Sequence, residues 1–299
     1  MSRIHEALKK VERNRAQDDT RRNQTADVVE PRAAQPDSVP ASAVRSTPDM
    51  RSIVTSSAEA LSANADVLRA RCTPGDWKPA PTMLFLGEHQ QTQGNEEFRT
   101  LRSRLYQMRE QRQLRKLLIT SPLPNEGKTF VAANLAQAIA CQEGQRALLI
   151  DADLRDGSLH KSLGTFATPG LSDYLLSEID EFEVLQRGPM ENLFFIPAGL
   201  AVSNPAELVA NGHLKRLLDR CEPLFDWVII DSPPAIPVSD ATLLADYCDG
   251  VLMVVRSNVT HSDAARRAWL EFRETQLVGA VLNGVQPSSL PYYSSYGRT

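Results

Sequence analysis

Lys128, Thr129, Asp151, Asp153 and Asp231 are the residues whose types and spacing could do chemistry together. The lysine and threonine close the stretch LLITSPLPNEGKT, residues 117–129, in which an apolar run passes through a loop ending Gly-Lys-Thr into a helix-forming segment. A phosphate-binding loop requires strand, loop and helix in that order. Backbone N–H groups at the helix start favour phosphate oxygens, the lysine offers a point charge to the β- and γ-phosphates, and the threonine hydroxyl can ligate Mg2+. Nucleotide contact is therefore assigned to Pro124, Asn125, Glu126, Gly127, Lys128, Thr129 and Phe130. The usual GxxxxGK[ST] pattern begins with a glycine where this chain has Pro122, a residue that cannot take positive φ, so the loop must enter by another route.

Asp151 ends the apolar run ALLID, and Asp153 lies two residues further on. Asp231 ends a third run, WVIID. In open α/β folds ligands bind outside the carboxyl ends of the strands, so all three carboxylates can stand beside the loop. They suit Mg2+, held by Thr129, Asp151 and Asp231, and the removal of a proton from an acceptor hydroxyl. Which of Asp151 and Asp153 does which is not separable from the sequence.

These residues need a scaffold, and the remaining pattern supplies one. Short apolar runs (KLLIT, ALLID, NLFFIPAG, WVIID, GVLMVV, LVGAVLN) alternate with helical segments, including one read as continuous over residues 204–221. Continuous apolar strands between helices predict an α/β domain of the P-loop NTPase type, with a mostly parallel sheet covered by helices on both faces. It is placed at residues 80–286. Upstream, Phe98, Leu101, Leu105 and Met108 form a helical apolar stripe, with Glu96, Arg99 and Arg102 on another face. Residues 1–15 read as a short amphipathic helix with Ile4, Ala7, Leu8 and Val11 on one side, and residues 16–79 as a flexible Ser/Ala/Pro-rich linker. The end, PYYSSYGRT, carries three of the chain's six tyrosines, Tyr292, Tyr293 and Tyr296, on a tail over residues 287–299.

Composition excludes several classes. With 42% hydrophobic and 23% charged residues in a chain of 299, there is material for one substantial core. A net charge of −4 argues against nucleic acid as partner. The four scattered cysteines lack zinc-ligand or disulfide-framework spacing and suit a reducing cytoplasm. The longest apolar runs fall short of about 18 residues, so neither a membrane span nor a secretory leader is expected.

SPLPNEGKT, LLIDADLRD, VIIDSPP, an upstream EEFRTLR and the tyrosine-bearing end occur in one order over residues 90–299. Together they resemble the bacterial tyrosine kinases of capsule and exopolysaccharide synthesis. The resemblance implies an ATP and Mg2+ site in which Lys128 holds phosphates, Thr129 and Asp231 hold the metal, and Asp151 and Asp153 share metal positioning and activation of the tyrosine hydroxyl. Arg155 completes the DxDxR pattern. It further implies autophosphorylation of Tyr292, Tyr293 and Tyr296, ring-like self-association through Glu96, Arg99 and Arg102, and a base contact at Asn283. The implied partners are further copies of the chain, a membrane adaptor of the polysaccharide co-polymerase type and the polysaccharide synthesis or export machinery, which would place a cytoplasmic protein at the inner face of the membrane. The competing reading is a P-loop ATPase of the partitioning or septum-placing kind, or a regulatory relative that binds ATP without transferring it. Those ATPases carry an early loop lysine where this chain has Leu123, and often end in an amphipathic helix.

Overall fold

A computed structural model describes residues 68–86, 93–176, 179–273 and 276–286. Backbone contacts divide the chain into units at residues 1–57 and 58–299, and the first lies outside the described residues. So do the expected amphipathic helix and the tail tyrosines.

The strands are β1 (Thr73–Pro74), β2 (Lys116–Thr120), β3 (Ala147–Asp151), β4 (Gln186–Arg187), β5 (Leu193–Ile196), β6 (Trp227–Asp231), β7 (Gly250–Arg256) and β8 (Leu277–Asn283). They form one sheet in the order β1-β4-β5-β3-β6-β2-β7-β8, in which only β4 and β5 run antiparallel. The central strands are apolar through their interior positions because both faces are covered, with polar residues confined to their ends. Leu118, Leu148, Ile150, Phe194, Val228 and Ile230 point into one core, and Leu117, Ile119, Leu149, Phe195, Ile229 and Val254 into the other.

The second core is closed by α1 (Gln93–Gln111) and α2 (Lys128–Ala140). Residues 131–140 of α2 are all buried, since the helix is wedged between α1 and the sheet. Its two buried amides do local work: Asn134 Oδ1 accepts from the Leu84 amide at 2.8 Å, and Gln137 Oε1 from the Phe85 amide at 3.2 Å. Those bonds fix an apolar segment that has no ladder of its own. The first core takes apolar residues from α4 (Leu171–Leu176), α6 (Pro205–Ala210), α7 (His213–Cys221), α8 (Asp240–Ala245) and α9 (Ser262–Leu270). The short helices α3 (Leu159–Leu163) and α5 (Glu181–Val184) lie in the connections between these elements.

Two expectations change. The helix read as continuous over 204–221 is broken between α6 and α7, where Gly212 takes φ 83° and lets the chain turn. The linker expected to reach residue 79 stops earlier. Leu68, Cys72 and Trp77 are buried, and β1 pairs with β4. Composition pointed to a linker because the apolar anchors are few and spaced among polar residues. Trp77 meets Phe195 edge-on, with ring centroids 6.1 Å apart. Its indole fits only because Gly75 and Gly188 lack the Cβ atoms that would collide with it. Trp77→Ala is therefore expected to destabilise the domain by about 3 kcal/mol; chemical denaturation measures this, and an unchanged midpoint would show that the segment does not belong to the core.

Candidate active site

Parallel strands deliver their carboxyl ends to one edge, and the register makes the ends of β2, β3 and β6 neighbours there. Asp151 pairs with Asp231, and Asp231 with Ile119, one residue before the end of β2. The loop from Ser121 to Gly127 leaves this edge and opens α2 at Lys128. Positive φ falls at Asn125 (64°) and Gly127 (91°), not at the proline position. Pro122 is instead tied to the segment after β6: the Ile236 amide donates to its carbonyl at 3.4 Å, and the Ala235 amide to that of Ser121 at 2.8 Å. A loop anchored this way needs no glycine at its entry.

Lys128 Nζ lies 3.2 Å from Asp153 Oδ2 and 3.5 Å from Thr129 Oγ1. Burial pulls the ammonium pKa down, but Asp231, Asp153 and Asp151 outweigh it and the net shift is upward. The carboxylates show the complementary strain. Burial, then the charge of Asp231, pushes Asp151 up to about 8, against backbone amides of Leu159 and Asp153 that favour its charged form. Those amides stand 3.0 Å and 3.3 Å from its two oxygens. Burial pushes Asp231 up to about 6, opposed by Lys128 and the Thr129 hydroxyl. Three acids around one ammonium leave the pocket short of positive charge.

Among the described residues no group of three or more Asp, Glu, His or Cys side chains forms a metal cage. Mg2+ does not need one, because it is usually held by one or two carboxylates together with phosphates and water. The residues fit it: Asp231 Oδ1 is buried without a hydrogen-bond partner, beside the Thr129 hydroxyl. Asp151, by contrast, has both oxygens taken by amides.

The family model described as "AAA domain" matches residues 125–266. Tyrosine-protein kinase YwqD of Bacillus subtilis is 35% identical over 205 residues, 68% of this chain and 86% of that protein. The chain belongs to the bacterial tyrosine kinase family. The putative tyrosine-protein kinase in the cps region of Klebsiella pneumoniae is 33% identical over 207 residues, 69% of this chain but 28% of that much longer protein. The kinase domain of the Escherichia coli tyrosine kinase ETK superposes with a TM-score of 0.64 at 31% identity, covering 74% of this chain and 86% of that one. The protein is thus a tyrosine-protein kinase on a P-loop fold.

Other expected residues of the kinase are placed less uniformly. Asn283, at the end of β8, donates from Nδ2 to the Glu126 carbonyl at 2.9 Å and occupies the space a Cβ on Gly127 would need. Arg155 does not face the loop. Its Nε and a terminal nitrogen fork onto Asp240 at 2.7 and 3.1 Å, bracing the start of α8. The Phe130 ring packs against Phe98 with centroids 5.7 Å apart, leaving only its backbone near the phosphate site. On α1, Glu96 and Arg99 pair with each other on the surface, while Arg102 turns inward and donates to the Ala138 carbonyl near the end of α2. Arg256 and Thr260 were not anticipated. Arg256 donates to the Asn125 carbonyl at 3.1 Å, and Thr260 Oγ1 to Glu126 Oε1 at 2.7 Å. Nothing in their local sequence marks them; only the sheet order, which seats β7 beside β2, brings them to the loop.

Proposed function

We propose that the kinase transfers the γ-phosphoryl group of ATP to Tyr292, Tyr293 and Tyr296 of another copy, and that this regulates polymerisation or export of a capsular or extracellular polysaccharide. The observation that carries the chemistry is the Lys128–Asp153 pair at 3.2 Å, at the mouth formed by β2, β3 and β6. Lys128 and the loop amides hold the phosphates. Thr129 and Asp231 would hold Mg2+ together with the nucleotide, and the ion would supply charge neutralisation for the phosphates. Asp153 is the carboxylate for the acceptor: it is slightly more exposed than Asp151 and Asp231, and whereas backbone amides hold both oxygens of Asp151, only one oxygen of Asp153 is on an amide, that of Asp156, and the other faces the Lys128 ammonium. It takes the tyrosine proton as the phenolic oxygen bonds to the γ-phosphorus and the bond to the bridging oxygen breaks, leaving ADP. Asp151 orients the 153–159 segment through its two amide bonds.

The tail has the reach for this. Thirteen residues follow Gln286, about 45 Å when extended. The exposed Glu96 and Arg99 are the contact surface offered to a neighbouring copy, with Arg102 fixing the helix that carries them. No helix among the described residues is long and apolar enough to cross a membrane. Recruitment to the membrane is therefore assigned to an adaptor of the polysaccharide co-polymerase type. The name of the Klebsiella relative, which sets that protein in a cps region, supports the polysaccharide role.

Incubation of the purified chain with ATP and Mg2+, with and without its adaptor, followed by mass spectrometry of the C-terminal peptide, is the direct test. Phosphate on one or more of the three tyrosines is expected. ATP hydrolysis with no tyrosine labelled under either condition would sink the autokinase reading.

A further inference from the structure

We infer that Arg256 and Thr260, outside every nucleotide motif, are positioning residues that hold Asn125–Gly127 in a phosphate-binding shape. This rests on the nucleotide reading of the loop given above. Asn125 sits at φ 64°, a left-handed conformation that costs a non-glycine residue energy and persists only where the surroundings enforce it. Much of the enforcement comes from the β7–β8 side. The Arg256 guanidinium grips the Asn125 carbonyl. Glu126, 3% exposed, cannot be solvated and accepts the Thr260 hydroxyl. Thr260 Oγ1 itself accepts from the Arg256 amide at 3.2 Å, which leaves its proton for Glu126. The Glu126 carbonyl and the space beside Gly127 are taken by Asn283. Finally, the Ser257 amide donates to the Asn283 carbonyl at 2.8 Å, joining the turn after β7 and the end of β8 into one clamp.

Three consecutive residues ahead of Lys128 are thus each held from the β7–β8 side. A loop preset in this way binds phosphates without first having to be ordered. Losing the clamp should weaken phosphate-bearing ligands while sparing the carboxylates that act on the acceptor.

The test uses the full chain and three variants: Thr260→Val, which removes the hydroxyl at nearly constant shape; Thr260→Ser, which keeps it; and Arg256→Gln. Affinity for MgADP, KM for ATP and kcat for tyrosine labelling are measured, with the thermal midpoint of the free protein. Thr260→Val and Arg256→Gln are expected to raise Kd and KM roughly fivefold with kcat within about twofold, and Thr260→Ser to stay within about twofold of the parent, given that losing one buried hydrogen bond commonly costs about 1 kcal/mol. The inference is overturned if Thr260→Val binds MgADP like the parent, if Thr260→Ser is as weak as Thr260→Val, or if kcat falls while KM holds. A binding loss matched by a collapse of the thermal midpoint would also overturn it, as a folding effect. Lys128→Met separates the two levels: if parent and Lys128→Met bind MgADP alike, the nucleotide reading itself falls.

Discussion

Lys128→Met is expected to cut tyrosine labelling by about a thousandfold or more, the loss typical of removing a preorganised electrostatic group from a transition state. Phosphoryl transfer asks the protein mainly for position and charge, and Lys128 is the ammonium set among Asp151, Asp153 and Asp231. Its removal also strips those acids of their cation. Both acids that already bind protons unusually well, Asp151 at about 8 and Asp231 at about 6, then hold them more tightly. The variant should fold, but lose more thermal stability relative to the parent at pH 8, where unfolding frees those protons, than at pH 5. Labelling is read by mass spectrometry and stability by melting at the two pH values. Retained labelling would remove Lys128 from the site.

Asp231→Asn is expected to abolish Mg2+-dependent labelling and yet stabilise the free protein at neutral and alkaline pH. The sign follows from the direction of the shifts. Asp231 and Asp151 have folded pKa values raised from 3.8 to about 6 and about 8. Over that window the folded state binds more protons than the unfolded one, so stability is full below about pH 4 and declines as pH climbs through 6 and then 8. An asparagine at 231 carries no charge to bury, relieves Asp151 of its strongest repulsion, and keeps an oxygen for the Thr129 hydroxyl. In protein free of nucleotide and divalent cation, the midpoint at pH 8 should rise by roughly 4 °C relative to the parent, with little difference at pH 4. A lower midpoint at pH 8, or full labelling, would contradict the picture of a site held at the expense of stability.

The central strands and the phosphate loop were legible because each is a local pattern. KLLIT, ALLID and WVIID each carry an unbroken apolar run since both faces of the sheet are covered, and Gly-Lys-Thr sits where an apolar run gives way to a helix. What escaped reading depends on distant contacts. Trp77 lies in a polar stretch and is core only because Gly75 and Gly188 make room for it. Arg155 matched a motif, but its orientation is set by Asp240, 85 residues away. Residues 96, 99 and 102 follow one another at helical intervals of three, which rotate steadily around the axis. By the third, the side chain has moved from the surface to the α2 side. Arg256 and Thr260 have no local signature, because it takes the order of the strands to bring them to the loop.

Asn283 holds the Glu126 carbonyl, and the segment proposed above to carry the acceptor tyrosines begins four residues beyond it, at residue 287. Binding at the loop and tension on the tail therefore act on one shared residue, and any coupling between them must be reciprocal. If bound nucleotide tightens the Asn283 contact, a tail drawn into another copy's site changes its own chain's nucleotide affinity by the same factor that nucleotide changes tail capture. In an assembly of such chains the copies would not fill independently. Their nucleotide occupancy would follow a cooperative isotherm, and truncating the tail would return it to a simple hyperbola.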